Sequence, residues 1–469
     1  MAKTKQPKWS RVRRRSFLKT TGLALAAGAV APYVWIRNPA IAQTSGRGRI
    51  KHLLYIRLSG GFRFPPAFNA DVSEEFNPFG RAKGVAKGAE WGVGELLAHA
   101  PYLDGDMGAP LRALGLRAVP EFADELTVLS CVDHEPLAAS ADGNHTTGLE
   151  RWYTGYVGGP VGFFTMINYG LRARTEKAAA DGKLLLPAFV LGGAGMGKGL
   201  GEYAAHRPPV LSGGGFDRFQ LDTDATIPDW SLKLAADSDE RMRARQHAEL
   251  RGPIDAYIES RKATAAYAEI FNSQVLKIDE PSTEVTDGVS NDDLRTLMGD
   301  ADASRDVRLA LRLFHFGAPA VYLDEGGYDM HSGEESGLPP QMQQVNRILS
   351  GLEVTLKKME HPEGGKYWDH TAVVFGSEFS RTTRGGRFNS ARGSDHGGDL
   401  ATRWMSMPFM GGPFAGVAGR QLGETRGADL VAAGTVYSYR SVLKTLLDGL
   451  GAEHEEFFPA DAPFEDLWG

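Results

Sequence analysis

The chain has 469 residues, and 52 Lys+Arg against 58 Asp+Glu give it a formal net charge of −6. Its one cysteine, Cys131, excludes an intramolecular disulfide and a cysteine-based zinc site. Its 58 glycines cluster in loops, which suits a loop-rich enzyme more than a fibrous protein.

In chain order, the first 42 residues carry nine Lys+Arg and no acid. The basic head ends in Arg14-Arg15-Ser16-Phe17-Leu18-Lys19, a signature read by the twin-arginine translocase, which exports folded proteins. A mildly apolar stretch follows, Thr20 to Ile36. It is rich in Ala and Gly and holds Pro32, which makes it a poor permanent membrane anchor. Ala40-Ile41-Ala42 offers small residues to a signal peptidase. The sequence therefore predicts cleavage after Ala42 and a periplasmic or extracellular product, 43–469. Without the leader, 43 basic residues face 58 acidic ones, a net charge of −15. Such a surface repels polyanions and argues against DNA, RNA and acidic membranes as partners.

Short apolar runs at His52–Leu58, Leu126–Val132, Ala188–Leu191, Ala320–Leu323 and Thr371–Phe375 read as strands covered on both faces. Cys131, inside the second run, reads as core. Helical patterns lie between the runs at 161–173, 229–273, 303–316 and 339–360, with a last one at 437–450. This alternation predicts an α/β fold with a mainly parallel central sheet. The charged stretch 229–273, broken at Gly252-Pro253, reads with the polar 276–300 as a helical insertion in one large domain, 43–469.

In an open parallel sheet, ligands sit beyond the carboxyl ends of the strands, and polar residues gather there in this sequence. Asp329 and His331 are two apart, so in an extended segment both leave on one face. A carboxylate and an imidazole there suit a zinc-, manganese- or iron-type ion. Asp395-His396 offers a second pair, also among glycines. Each pair alone reads as a cap or a hydrogen-bonded loop before it reads as a metal site; having both predicts a shared site. Glu378 directly follows the last of the five runs and is a further candidate ligand. The forks of Arg381 and Arg384 either grip phosphate or sulfate oxygens or form structural ion pairs with Glu378. Asn144-His145-Thr146-Thr147-Gly148 precedes a helical run. Thr146 or Thr147 then lies where backbone amides stabilise an anion or an activated hydroxyl, or else is a plain cap. His315 reads as core, and His361, His370 and His454 as surface.

At these residues the chain resembles the domain-of-unknown-function 1501 family of secreted bacterial proteins. The resemblance rests on the twin-arginine start, Leu58-Ser59-Gly60-Gly61, His145 with Trp152-Tyr153-Thr154-Gly155, and Gly327-Tyr328-Asp329-Met330-His331. It extends through Ser377-Glu378-Phe379-Ser380-Arg381-Thr382 and Gly393-Ser394-Asp395-His396-Gly397. It implies the alkaline phosphatase and sulfatase superfamily, whose fold is a three-layer α/β sandwich with a mainly parallel sheet and helical insertions. It further implies hydrolysis of anionic phosphate or sulfate esters with a divalent metal, zinc ahead of manganese, magnesium or calcium. Asp329 and His331 would hold one metal position, and Asp395 and His396 the other, with Glu378 beside them. Arg381 would clamp the anion, with Thr146 or His145 on the nucleophile side. Phe62 and Arg63 stand where such enzymes carry an acid, and His454 is the last downstream histidine. The alternative expectation is a catalytically inactive exported protein of the same fold, binding a surface carbohydrate or a partner protein.

Overall fold

Apolar runs of the kind found at His52–Leu58 can bury their side chains on both faces only inside a covered sheet. β1 (His52–Leu58) is buried at every position, as is β2 (Leu126–Asp133). The computed structural model describes residues 46–64, 68, 109–134, 142–181, 185–211, 229–245, 247, 273–276, 284–286, 288–299, 302–331, 334–382, 395–396, 400–426, 430–433 and 435–468. The leader 1–42, Gly252-Pro253 and Arg384 lie outside the described residues. No helix among the described residues is long and apolar enough to cross a membrane.

The chain divides into two compact units. The smaller takes in Arg172–Leu186 and Gly215–Leu276, and its described α-helices are Arg172–Ala180 and Asp229–Arg245. The larger holds the sheet. Of the stretch 229–300, Asp229–Arg245 falls in the smaller unit and Asn291–Met298 in the larger.

The larger unit continues with β3 (Phe189–Leu191) and β4 (Val210–Leu211), then a hairpin of β5 (Glu284–Thr286) and β6 (Val289–Ser290). Next come β7 (Ala320–Glu325), β8 (Thr371–Gly376), β9 (Trp404–Met410) and β10 (Arg420–Leu422). A second hairpin of β11 (Glu424–Arg426) and β12 (Val431–Ala433) precedes β13 (Tyr437–Ser438). The central sheet has nine strands in the order β10-β2-β9-β8-β1-β7-β3-β4, with β13 also on β2. Among them β9 alone runs against its neighbours, β2 and β8; every other pairing is parallel. The result is a mixed α/β protein with a large, mainly parallel central sheet.

Helix α1 (His145–Thr154) is fixed to this sheet by aromatic packing. Trp152 stacks on Tyr55 of β1 at 4.9 Å and on Tyr439 of α2 (Tyr439–Gly449) at 5.3 Å between ring centroids. Its indole N–H donates to the Tyr322 hydroxyl on β7 (3.2 Å). Truncating a buried tryptophan costs ~3–5 kcal/mol, whereas an N-cap is worth ~1 kcal/mol. The Trp152 anchor therefore decides where α1 lies, and the Asn144 cap decides where it begins.

Two expectations from the sequence fail here. His361 and His454 are buried, at 4% and 8% exposure, not on the surface. Each ring has a polar partner inside the fold: His361 Nε2 lies 3.1 Å from His52 Nε2, and His454 Nε2 lies 3.3 Å from Asp448 Oδ1.

Candidate metal centre

β1, β7 and β8 are adjacent and parallel, so their carboxyl ends deliver three connections to one edge of the sheet. The connection after β1 turns at Gly60, with φ +113°, and a Cβ there would lie 2.3 Å from the Asp329 nitrogen. Glycine is what lets the two connections touch. The segment after β7 carries Asp329 and His331, and the one after β8 carries Glu378 and Arg381. β2 points the same way, and the chain beyond it leads into α1. His145 opens that helix two turns before Trp152, on the same face, so anchoring the tryptophan aims the imidazole at the sheet edge. Asn144 Oδ1 caps the helix by accepting from the Thr146 and Thr147 amides (2.9 and 3.4 Å).

One ligand atom from each of His145, Asp329, His331 and His396 lies within 4.8 Å of all the others. Asp329 Oδ1 is 3.2 Å from His331 Nε2 and 3.5 Å from His145 Nε2, and His331 Nε2 is 3.2 Å from His396 Nε2. Four ligands ~2.0–2.1 Å from a tetrahedral ion stand about 3.3 Å apart, so these spacings fit.

The chemistry of the donors points the same way. His145 Nδ1 donates to Glu378 Oε1 (3.2 Å), His331 Nδ1 to Asp395 Oδ1 (3.0 Å) and His396 Nδ1 to the Gly143 carbonyl (2.5 Å). With each Nδ1 protonated, each neutral ring turns an unprotonated Nε2 inward. His145 Nε2 is buried with no hydrogen-bond partner. His331 and His396 face each other through nitrogens that share no proton. A cation is the group that three converging lone pairs and a carboxylate would hold. The residues fit a metal ion.

Electrostatics agrees. Burial works to raise the Asp329 carboxyl, but the hydrogen bond and charge of Arg381 hold it below the usual range. Burial works against Glu378 too, yet the His145 hydrogen bond, the Arg57 charge and the Ser377 hydroxyl bring it down to about 2. Burial lowers His396, which keeps it neutral near pH 7. Four carboxylates (Asp324, Asp329, Glu378, Asp395) against the guanidinium groups of Arg57 and Arg381 leave two negative charges over.

The residues expected from the sequence fall into four positions. His145, Asp329, His331 and His396 supply the gathered ligand atoms. Asp395 and Glu378 stand behind two of them as acceptors; Glu378 Oε1 also takes the Gly60 amide (2.8 Å). Arg381 is wholly buried and donates to the carbonyls of Gly61 (2.6 Å), Met330 (2.6 Å) and Gly60, and to Asp329. Its fork thus ties the β1 and β7 connections together. Thr146 is exposed in the first turn of α1. Sequence reasoning passed over Arg57, the one charge within the otherwise apolar residues 53–58. It lies in register with Asp324 and grips it in a fork (Nε 3.0 Å, Nη2 2.7 Å). A charge inside a buried strand was the available signal.

Fold and site together define an α/β protein with a candidate metal centre. The chain belongs to the DUF1501 family, described as a protein of unknown function, whose profile matches residues 189–465. Asp329, His331, Glu378, Arg381, Asp395 and His396 lie inside the match, and His145 precedes it. No curated protein matches the chain. Similar solved structures include the crystal structure of Ps i-CgsB, at 11% identity and a TM-score of 0.33. Another is its complex with k-i-k-neocarrahexaose, at 12% identity and 0.29. Each comparison covers 88% of this chain and 75% of the other.

Proposed function

We propose that this chain is an exported, metal-dependent hydrolase of phosphate or sulfate esters, built on an alkaline phosphatase-like sandwich. The observation that carries the reading is the convergence of three imidazole Nε2 atoms and Asp329 Oδ1, each imidazole held from behind by its own acceptor. Three nitrogens and one oxygen favour zinc over magnesium or calcium, which prefer oxygen. The bound ion would polarise an ester oxygen and activate water or a hydroxyl. The protein's own groups hold the geometry. Glu378 and Asp395 orient His145 and His331, and Arg381 pins Asp329 against the β1 connection. Asp329, with its side chain half exposed, marks the open side of the site.

Metal analysis of the purified protein tests this directly. We expect about one or two stoichiometric ions and cleavage of some phosphate or sulfate ester in a broad panel. His331→Ala should lower bound metal and hydrolysis together. A wild-type protein that holds no metal and cleaves no such ester would sink the proposal. The second reading, an inactive binding protein for a surface carbohydrate or partner, is favoured by the engagement of Arg381 with carbonyls. Bound metal without turnover would support it.

Export is part of the proposal and rests on Arg14-Arg15 ahead of a weakly apolar stretch. Changing both arginines to lysine should leave uncleaved precursor in the cytoplasm. Mature protein outside at the normal level would rule out the twin-arginine route.

A further inference from the structure

We propose that Asp142 and Arg151, outside the ligand cluster, are positioning residues that set metal affinity by locking the loop 142–147. The inference rests on the metal-centre reading above. That loop has two tasks at once. It supplies the His145 imidazole, and it supplies the Gly143 carbonyl that accepts from His396 Nδ1 across 253 residues of chain. His145 and His331 are oriented by carboxylate side chains, whereas His396 is oriented by main chain. A main-chain acceptor has no side chain of its own to hold it, so its position depends on what fixes the loop.

The Asp142 carboxylate does the fixing. Arg151, one of the last residues of α1, reaches back with Nη1 to Oδ1 (3.0 Å) and Nη2 to Oδ2 (2.7 Å). Thr147 Oγ1 donates to Oδ2 (2.8 Å) and the Asn144 amide to Oδ1 (3.1 Å). Between them, buried Gly143 takes φ +49°, the left-handed turn that directs its carbonyl toward His396. The Arg151 side chain is 13% exposed and that of Asp142 40%, so water reaches the fork from the carboxylate side only, and the two-point geometry rather than burial gives the pair its hold. Arg151 is anchored on the helix that Trp152 holds to the sheet. The pair therefore carries the rigidity of the sheet into the loop, and from there to two ligands.

A pair that only capped the helix would affect stability and leave metal affinity alone. Zinc affinity of the full chain, measured by competition with a chelator, separates the two roles. Orienting acceptors of ligand histidines typically contribute 10–100-fold in metal affinity. Arg151→Met and isosteric Asp142→Asn should each weaken zinc by about that factor, and the double variant by no more than the stronger single one. Arg151→Lys, which keeps the charge but not the fork, should recover part of the loss. The visible spectrum of the cobalt-loaded protein should change in Arg151→Met and return toward wild type in Arg151→Lys. If Arg151→Met does not fold, Asp142→Asn carries the test. Zinc affinity within twofold of wild type in the folded variants overturns the positioning role while the metal centre stands. A wild-type chain that binds no zinc or cobalt overturns the metal centre itself.

Discussion

Glu378 is where separate parts of the site are joined through one carboxylate. Oε1 accepts from His145 Nδ1 and the Gly60 amide, and Oε2 accepts from Ser377 Oγ (3.0 Å) with Arg57 Nη1 3.7 Å away. Gly60 is the tightest of these joints, because a Cβ would drive into the Asp329 backbone. Gly60→Ala should therefore lower the thermal midpoint and also weaken metal binding at least tenfold by displacing Asp329. The conformational strain alone is worth ~1–3 kcal/mol. Gly48, at φ +74° with nothing within 4 Å of its virtual Cβ, gives the control. Gly48→Ala should show strain without loss of metal, and equal metal losses in the two variants would refute the close-approach argument. Much of the cluster was legible in the sequence, since the two-residue spacing of Asp329 and His331 predicts a common face. What it left open was which member of Asp395-His396 faces the cluster. Neighbouring residues point apart, and Asp395 lies behind His331 while His396 looks inward.

At the level of elements, five strands were readable because apolar, branched and aromatic residues dominate their runs; β1 appears with the expected bounds, and each of the other four has one end moved by one or two residues. β9 was not readable. Its sequence, Trp-Met-Ser-Met-Pro-Phe-Met, lacks β-branched residues and holds Pro408, which normally argues against an inner strand. Pro408 nevertheless sits opposite Val128 of β2, beside the irregular register between Leu129 and Val132. A bulge of this kind loosens the ladder. The helix at 303–316 was legible from its periodic apolar residues and is observed at Asp302–His315. α1 begins at His145, ahead of the apolar residues that announced it, because Asn144 caps it. That shift places His145 inside a rigid element.

Over the whole molecule, a polar chain at the far end of β1 links folding to pH. His52 Nδ1 donates to the Ala318 carbonyl (2.8 Å), and His361 Nδ1 accepts from the Glu363 amide (3.1 Å). His361 Nε2 then donates to His52 Nε2 (3.1 Å), and both rings are neutral. Burial above all, reinforced by the nearby Lys51 charge, brings His361 from 6.5 down to about 2. The unfolded chain takes up this proton below pH 6.5 and the folded chain does not until about 2, so stability falls on acidification through that window and is level above it. Urea midpoints should be flat from pH 8 to 7 and drop below 6.5. His361→Gln, which keeps a donor but cannot titrate, should show a shallower drop; an unchanged slope would exclude His361 as the cause. The ligands themselves carry a different consequence. Gly143 and His396 stand 253 residues apart, and His331 and His396 stand 65 apart. No short peptide from this chain contains the chelate, so an ion can be captured only once the sheet has closed. If the chain crosses the membrane already folded, as proposed, the choice of ion is made by the metal pool of the cell interior, and the compartment of arrival inherits it.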